Sequence, residues 1–490
     1  EEAEFNDIKL ITDSKGEAKY YKPIAQWDLI DSIKGPDPIG INGARFWRGD
    51  NTGLQHSYID SDVKNGKRYY YALVSYDMGD PKFGTAGLQP SECTKIISED
   101  YAGNIQFVDI NTAVVTPNAP APGYVSPQIV GDLKKVAAGD GTGSIQPLVL
   151  NPGVINDGTN YKVEFTSTGT FPKYSTKEYK VIRTYNGVVD TVLSALDTTF
   201  IGTAKYCPPF DGLTMTVLND TSIVPIDSLS GWKVGHSNLN MRVLADITSR
   251  AAPWPNDYEI RFSDTPQDTT YLKAVGYPQI PINFKIINTT TGLQSKVVVK
   301  DNDGSNSLSY GDVIQILEFV GTPSPANSRI AWAINYFPPF NPSLTSVDPA
   351  PGDIYAIKTS KPFKTGDYFS FTTKPSTSDN KLAQNGLSRI NVVPNPYLGQ
   401  AAWERRNLNS TGRGERRIDF INLPATCTIR IYTMAGALVK TIVKDSPVSN
   451  GAVSWDLISD DGMEIAYGVY IYHVKAEGVG EHVGKFAVIK

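Results

Sequence analysis

The sequence predicts an all-β chain of serial β-sandwich domains. Three observations carry that prediction. Tyr, Thr, Val and Ile, which suit a pleated, half-buried surface, recur in short runs, and Tyr alone appears 26 times. Between the runs stand Gly, Asn, Asp and Pro, with 42 Gly and 33 Pro in 490 residues, at the spacing turns need. No helical period of 3.6 persists beyond about two turns. Charged residues make up 20% of the chain, so the Lys- and Glu-rich composition of helical proteins is missing. A chain this long suits roughly three to five domains.

The bulk properties exclude several functions. A net charge of −5 gives no electrostatic reason to bind nucleic acid or an anionic membrane face. No apolar run approaches the roughly 18 residues of a membrane span. Cys93, Cys207 and Cys427 are too few and too far apart for a disulfide framework or a CxxC metal knuckle, and read as unpaired buried thiols. The polar opening EEAEFNDIKLITD reads as the inside of a domain, which implies a mature or partial chain lacking its N-terminal portion.

Residues 1–109 form the first expected domain. Its clearest piece is HSYIDSDVKNGKRYYYALVSYD, His56–Asp77, where Asn65-Gly66 marks a tight turn before a strand from Arg68 to Tyr76. This stretch resembles the F-strand region of a fibronectin type III domain. The resemblance implies that Tyr69, Tyr70 and Tyr71 pack as architecture, with a hydroxyl tied to the backbone at a strand corner, in preference to forming a sugar-stacking platform. The strands that should precede the motif are missing, so the domain is expected to be N-terminally incomplete. KGPDPIGINGARFWRGD, ending at Asp50, reads as a long loop. Its Arg48-Gly49-Asp50 tripeptide is read as incidental and not as an attachment motif.

Residues 110–130 carry Pro117, Pro120, Pro122 and Pro127 and are expected to be a stiff, extended linker with neither ladder nor helix. A second sandwich is expected over 131–247. Its strands are Tyr161–Thr168, Lys177–Ser194 with a hairpin at Asn186-Gly187, Met215–Asp220 and Leu239–Ile247. A third is expected over 248–374, from Asp257–Asp264, Ile282–Gly292, Ser295–Asp301, Asp312–Phe319, Arg329–Phe337 and Asp367–Lys374. Residues 375–388 read as a short linker.

The last domain, 389–490, is the most specific. It contains VVPNPYLG from Val392, alternation of Ile429 and Ile431 with Arg430 and Tyr432, turns at Gly436 and Asp461-Gly462, and the large rings Trp455 and Tyr470. This stretch resembles the FlgD-like immunoglobulin-type domain that closes many large secreted proteins of the Bacteroidetes–Chlorobi–Ignavibacteria group. There it serves as, or sits beside, a sorting signal of type IX secretion. The fold class expected for the whole is therefore all-β, as serial immunoglobulin- or fibronectin-like sandwiches, and the resemblance implies export to the bacterial cell surface.

Chemistry has few footholds. The best is DNDGSNSLSYGD, where Asp301, Asp303, Ser305, Ser307 and Asp312 fall at positions 1, 3, 5, 7 and 12 of a calcium-loop spacing. Against an EF-hand stand flanking strands in place of helices, Gly at position 4 in place of 6, and a short Asp as the twelfth residue; Asn306 can take the left-handed conformation wanted at position 6. A calcium site and an ordinary solvated Asp/Asn hairpin both remain open. The histidines His56, His236, His473 and His482 sit in no hydrolase or zinc motif. Asp60 with Asp62, and Asp77 with Asp80, read as turn caps before catalytic carboxylates. RGERR, Arg413–Arg417, reads as a solvated turn or a partner for nearby acids before a phosphate or glycan site.

The expectation is a non-catalytic structural or adhesive component of a surface fibre, coat or scaffold. Its partners would be other cell-surface subunits, or copies of itself, through exposed strand edges. The alternatives are a polysaccharide-binding module, with Trp27, Trp47 and Trp254 in loop contexts, or the accessory region of a secreted enzyme whose catalytic domain lies upstream. Calcium is the single cofactor considered.

Overall fold

The computed structural model describes residues 9–55, 57–85, 87–100, 104–134, 136–137, 139–197, 206–271, 274, 276–399 and 416–489. These residues are almost entirely β, with one short α-helix, Asn380–Gly386, among them. The all-β prediction holds.

The N-terminal segment is made of ribbons. Lys9–Thr12 pairs with Ala18–Lys22, Tyr69–Ala72 with Thr112–Val115, and Ile97–Glu99 with Ile105–Val108, and no sheet there exceeds two strands among the described residues. The sandwich expected over 1–109 is therefore replaced by ribbons and loops. Carboxylates hold the loops: Asp13 accepts the Lys15 and Glu17 amides, and Asp37 those of Ile39 and Gly40. With so many Gly, Pro and Asp, the segment has too few alternating apolar residues to fill two facing sheets.

A five-stranded sheet follows, in the order Val188–Asp197, Lys173–Tyr185, Asn160–Thr170, Tyr368–Lys374, Gln128–Val130. The predicted hairpin is present, with Asn186 at φ 49° and Gly187 at φ 79°, the double positive φ of a type I′ turn. Alternation sets the inner face: Tyr161, Val163 and Phe165 alternate with Lys162 and Glu164. Against that face packs a ribbon of Ser144–Val149 and Leu213–Leu218, which contributes Leu213, Met215 and Val217 to the core.

Residues between Leu218 and Phe363 leave this host sandwich and build a second body before returning. Its eight strands run Gly231–Val234, Ile354–Ile357, Tyr258–Phe262, Phe284–Asn288, Gln294–Lys300, Val313–Phe319, Ser328–Phe337, Asn240–Leu244. The sheet folds over one core that includes Tyr258, Ile260, Phe284, Ile286, Val299, Ile316 and Trp332. Burying each such side chain contributes about 1.5–3 kcal/mol. These sheets cross the boundary expected at 247/248. Asn240–Leu244 pairs with Ser328–Phe337, and Tyr368–Lys374 pairs with Asn160–Thr170 of the host. The reason is that alternation marks a strand's buried face and says nothing of its partner.

Among the described residues, the C-terminal body is a sandwich of seven strands. Asn391–Val393, Ile418–Ile421 and Val453–Trp455 form one sheet; Leu438–Asp445, Thr426–Thr433, Gly468–Ala476 and Gly480–Val488 form the other. Phe420, Ile429, Ile431, Trp455, Tyr472 and Phe486 fill the space between.

Both expected linkers carry structure. Within 110–130, Thr112–Val115, Tyr124–Val125 and Gln128–Val130 all pair into ladders. The four prolines fall between these segments, so the ladders lose no donor to them. Within 375–388, the side chain of Asp379 caps the helix by accepting the Lys381 and Leu382 amides.

Candidate functional site

The loop Asp301–Asp312 joins the strands Gln294–Lys300 and Val313–Phe319. It brings three carboxylates together: Asp301, Asp303 and Asp312 each place an oxygen within 4.8 Å of the others. Their burial grades inward, from exposed Asp303 through Asp301 to Asp312, which is fully buried. All six carboxylate oxygens accept hydrogen bonds from the loop itself. Asp301 takes the Gly304, Ser305 and Asn306 amides, Asp303 the Ser305 amide and Ser309 hydroxyl, and Asp312 the Asn302 and Ser309 amides. The Ser309 hydroxyl, and then the Ser305 amide, hold the Asp303 carboxyl down at about 2. Asn306 sits at φ 57° and Gly304 at φ 75°, the conformations that turn the chain around the Asp301 carboxylate.

Ser305 and Ser307 are not in the carboxylate cluster, although the Ser305 amide donates to both Asp301 and Asp303. The Ser305 and Ser307 hydroxyls lie 3.1 Å from each other, and the Ser307 amide donates to the Ser305 hydroxyl. Oxygen-only donors of this kind suit a hard cation such as Ca²⁺. Asp301 Oδ1 and Asp312 Oδ2 each accept two of the loop's hydrogen bonds, while the other four oxygens accept one each. Ser309, absent from the predicted ligand set, bridges Asp303 and Asp312.

The remaining sequence candidates make the following contacts. The Tyr69 hydroxyl accepts the Lys64 amide, five residues upstream, at 2.8 Å, as a strand-corner tyrosine should. Tyr70 donates to Glu99 and Tyr71 to Asp60. Burial, aided by Asp60, pushes the Tyr71 hydroxyl up to about 12. Asp77 accepts the Gly79 amide and Asp80 the Lys82 amide, so both cap turns. His473 meets Glu481 at 3.1 Å, while burial lowers His482. His236 is exposed, and His56 lies outside the described residues. Arg416 pairs with Glu464 and Arg417 with Asp419, whereas residues 413–415 lie outside the described residues.

The cysteines differ from expectation in one case. Cys207 and Cys427 are buried, which raises both thiols, Cys427 to about 11. Cys93 is exposed, in the loop that leads into Ile97–Glu99.

In the RGD tripeptide Gly49 is buried, Arg48 half-buried and Asp50 exposed. A Cβ on Gly49 would lie 2.3 Å from the Asp28 carboxyl carbon. Arg48 donates to the Lys34 carbonyl, and Asp50 accepts from the Trp47 indole. Behind the loop, the buried Asp28 carboxylate accepts the Asn51 and Thr52 amides. Sequence reading missed Asp28, since its first partner is 23 residues away. Of the three tryptophans, Trp254 is only 4% exposed and accepts the Trp332 indole through its carbonyl, so it offers no platform. Trp47 is 45% exposed and Trp27 half-buried.

No family model matches the chain, and no curated protein matches its sequence. Among solved structures it is similar to PorZ, an essential bacterial surface component of the type IX secretion system of Porphyromonas gingivalis. The identity is 12% over 66% of this chain and 51% of that one, with a TM-score of 0.18. It is also similar to dimeric latent PorU from Porphyromonas gingivalis, at 12% identity over 75% of this chain and 34% of that one, with a TM-score of 0.14. A polysaccharide lyase is matched at 10% identity over 68% of this chain and 40% of that one, with a TM-score of 0.12. The chain spans about half or less of each of these structures. Overlaps this slight carry no activity, ligand or partner across.

Proposed function

We propose that the chain is a non-catalytic structural or adhesive component of an extracellular bacterial surface assembly, exported by a type IX route through residues 389–490. One observation supports the positional role above the others: the proline-rich connector is docked, not loose. The Gly451 amide donates to the Ala119 carbonyl at 2.7 Å and the Ala121 amide to the Val448 carbonyl at 2.9 Å. The Asp379 amide reaches the Gly123 carbonyl at 2.8 Å, and the Gly66 amide reaches the Pro117 carbonyl at 2.8 Å. Close approach needs glycine on the receiving side. A Cβ on Gly451 would lie 2.6 Å from the Pro120 carbonyl oxygen, and one on Gly386 2.6 Å from the Pro122 Cβ. Arg417 of the terminal sandwich also donates to the Gly66 carbonyl of the N-terminal segment at 3.0 Å. A joint clasped this way holds neighbouring bodies in fixed relation, which is what a spacer or scaffold requires.

The partners in this reading are other surface subunits, including further copies of the chain. Among the described residues Val188–Asp197 is an edge strand of its sheet, with Val188 and Val189 about two-thirds exposed. Calcium belongs to the same reading, as a brace of the Asp301–Asp312 loop. Export is tested by fusing residues 389–490 behind a reporter that carries a cleavable signal peptide, in a bacterium with a working type IX system. Surface display of the reporter, lost when the system is deleted, is the expected result. Retention of the reporter in the periplasm would overturn the export reading.

A further inference from the structure

We propose that a neutral polysaccharide binds in a cleft between the N-terminal segment and the host sandwich. The cleft measures about 410 Å³ and is lined by three aromatic residues, Trp27, Tyr58 and Tyr206, and three uncharged polar ones, Gln26, Gln55 and Ser57. Its volume lies within the roughly 300–1,000 Å³ of small-ligand sites.

The lining chemistry selects the ligand class. Pyranose rings present C–H faces that pack on aromatic rings, and hydroxyls that both donate and accept. Side-chain amides and a hydroxyl answer those hydroxyls in both senses. None of the described lining residues is charged, so among them an anionic glycan or a phosphate finds no counter-charge. Trp27 and Tyr58 meet edge to face, with centroids 5.7 Å apart and planes at 61°. Tyr58 keeps 52% of its surface exposed, so an apolar face remains for a ligand to cover.

The cleft is also held in shape before any ligand arrives. Gln26 donates to the Trp47 carbonyl at 2.9 Å, and Asp28, next to Trp27, clamps the Asn51 and Thr52 amides at 2.8 and 2.9 Å. Residues 26 and 28, on either side of Trp27, are thereby tied to the loop over 47–52. On the far wall, Tyr206 precedes Cys207, which is fully buried in the host core. Preorganisation of this sort reduces the ordering cost of binding. The inference stands apart from the export route, so either can fail alone.

The test is affinity electrophoresis of the purified chain in gels containing mannan, starch, xyloglucan, galactomannan or mixed-linkage β-glucan, with polygalacturonate and chondroitin sulfate as charged controls. Retardation is expected in at least one neutral gel and in neither charged one. Trp27→Ala, Tyr58→Ala and Tyr206→Ala should each weaken it roughly threefold to tenfold, the worth of one aromatic contact. Tyr58→Phe should preserve it. Because Tyr58 is half-exposed, Tyr58→Ala should melt at the wild-type temperature, which separates lost binding from lost folding. Absence of retardation in every neutral gel, retardation by the charged glycans, or undiminished binding by Tyr58→Ala and Tyr206→Ala would overturn the inference.

Discussion

Asp257→Asn should be among the most damaging single changes away from the apolar cores. Asp257 stands where the chain re-enters the host sandwich. Its carboxylate meets the Lys361 ammonium at 2.6 Å and the Lys358 ammonium at 2.9 Å, and accepts the Thr359 amide at 3.1 Å. Burial pushes this carboxyl up, but Lys361 and Lys358 together outweigh burial and hold it below the ordinary carboxylate value. The two lysines are not equal. The Lys361 side chain is 5% exposed and the Lys358 side chain 43%. Removing the charge of Asp257 leaves a buried, uncompensated ammonium at Lys361, a loss of about 3–5 kcal/mol. The exposed pair with Lys358 is worth under about 1 kcal/mol. At roughly 2–4 °C per kcal/mol, the lower bound of about 3 kcal/mol lowers the melting temperature by about 6–12 °C. Lys358→Met should shift it little. In the double variant Asp257→Asn/Lys361→Met the stranded charge is gone, and part of the loss should return. The acid limb has a definite sign. With its folded value below the unfolded one, Asp257 contributes fully above about pH 4 and loses its contribution as pH falls through the folded value. The gap between wild type and Asp257→Asn should therefore narrow in acid. Calorimetry of the full chain from pH 7 downward reads all of this. A variant within about 1 kcal/mol of wild type at pH 7, or a gap that persists in strong acid, would refute the reasoning.

Further outcomes follow from the same geometry. Glu318 accepts Asn288 and Ser295 side chains at 2.9 Å each, and burial raises its carboxyl above the ordinary value. Such a group opposes folding as pH rises through its folded value, so Glu318→Gln should melt above wild type at pH 8, the advantage vanishing in acid below the unfolded value. Gly451→Val drives a side chain into the Pro120 carbonyl and should open residues 116–123 to proteinase K within minutes, a cut that mass spectrometry of the fragments locates. For the calcium brace, Ca²⁺ at a hundredfold excess over Kd should stabilise the chain by about 2.7 kcal/mol and so raise its melting temperature relative to EDTA. Asp303→Asn with Asp312→Asn should abolish that response. Equal melting of wild type in Ca²⁺ and EDTA would remove calcium from the account.

Local structure was legible where residues constrain their own backbone. Asn186-Gly187 announced its hairpin, and the alternation of Tyr161, Val163 and Phe165 announced its buried face. Pairing over long separations was not. Nothing in YFSFTT says that Phe369 and Phe371 pack beside Tyr161 and Val163, some two hundred residues earlier. The insertion of one sandwich into another stayed hidden for that reason. In the connector, proline composition suggested a free spacer. The structure depends instead on small residues that receive it, Gly386 and Gly451, whose meaning appears only once their partners are in place. At the acidic loop, spacing located Asp301, Asp303 and Asp312 as a group, but not the Ser309 bridge between two of them. Trp27 was picked out for its loop context, whereas Tyr58 and Tyr206 join it through tertiary packing alone.

Hydrogen exchange along the connector tests the fixed-joint claim most directly. The Ala121, Gly451 and Asp379 amides donate across the joint to Val448, Ala119 and Gly123. They should exchange as slowly as amides in the terminal sandwich and lose protection only when it unfolds. Peptides spanning residues 117–125, 379 and 451 that exchange at the rate of an unstructured chain would contradict the account.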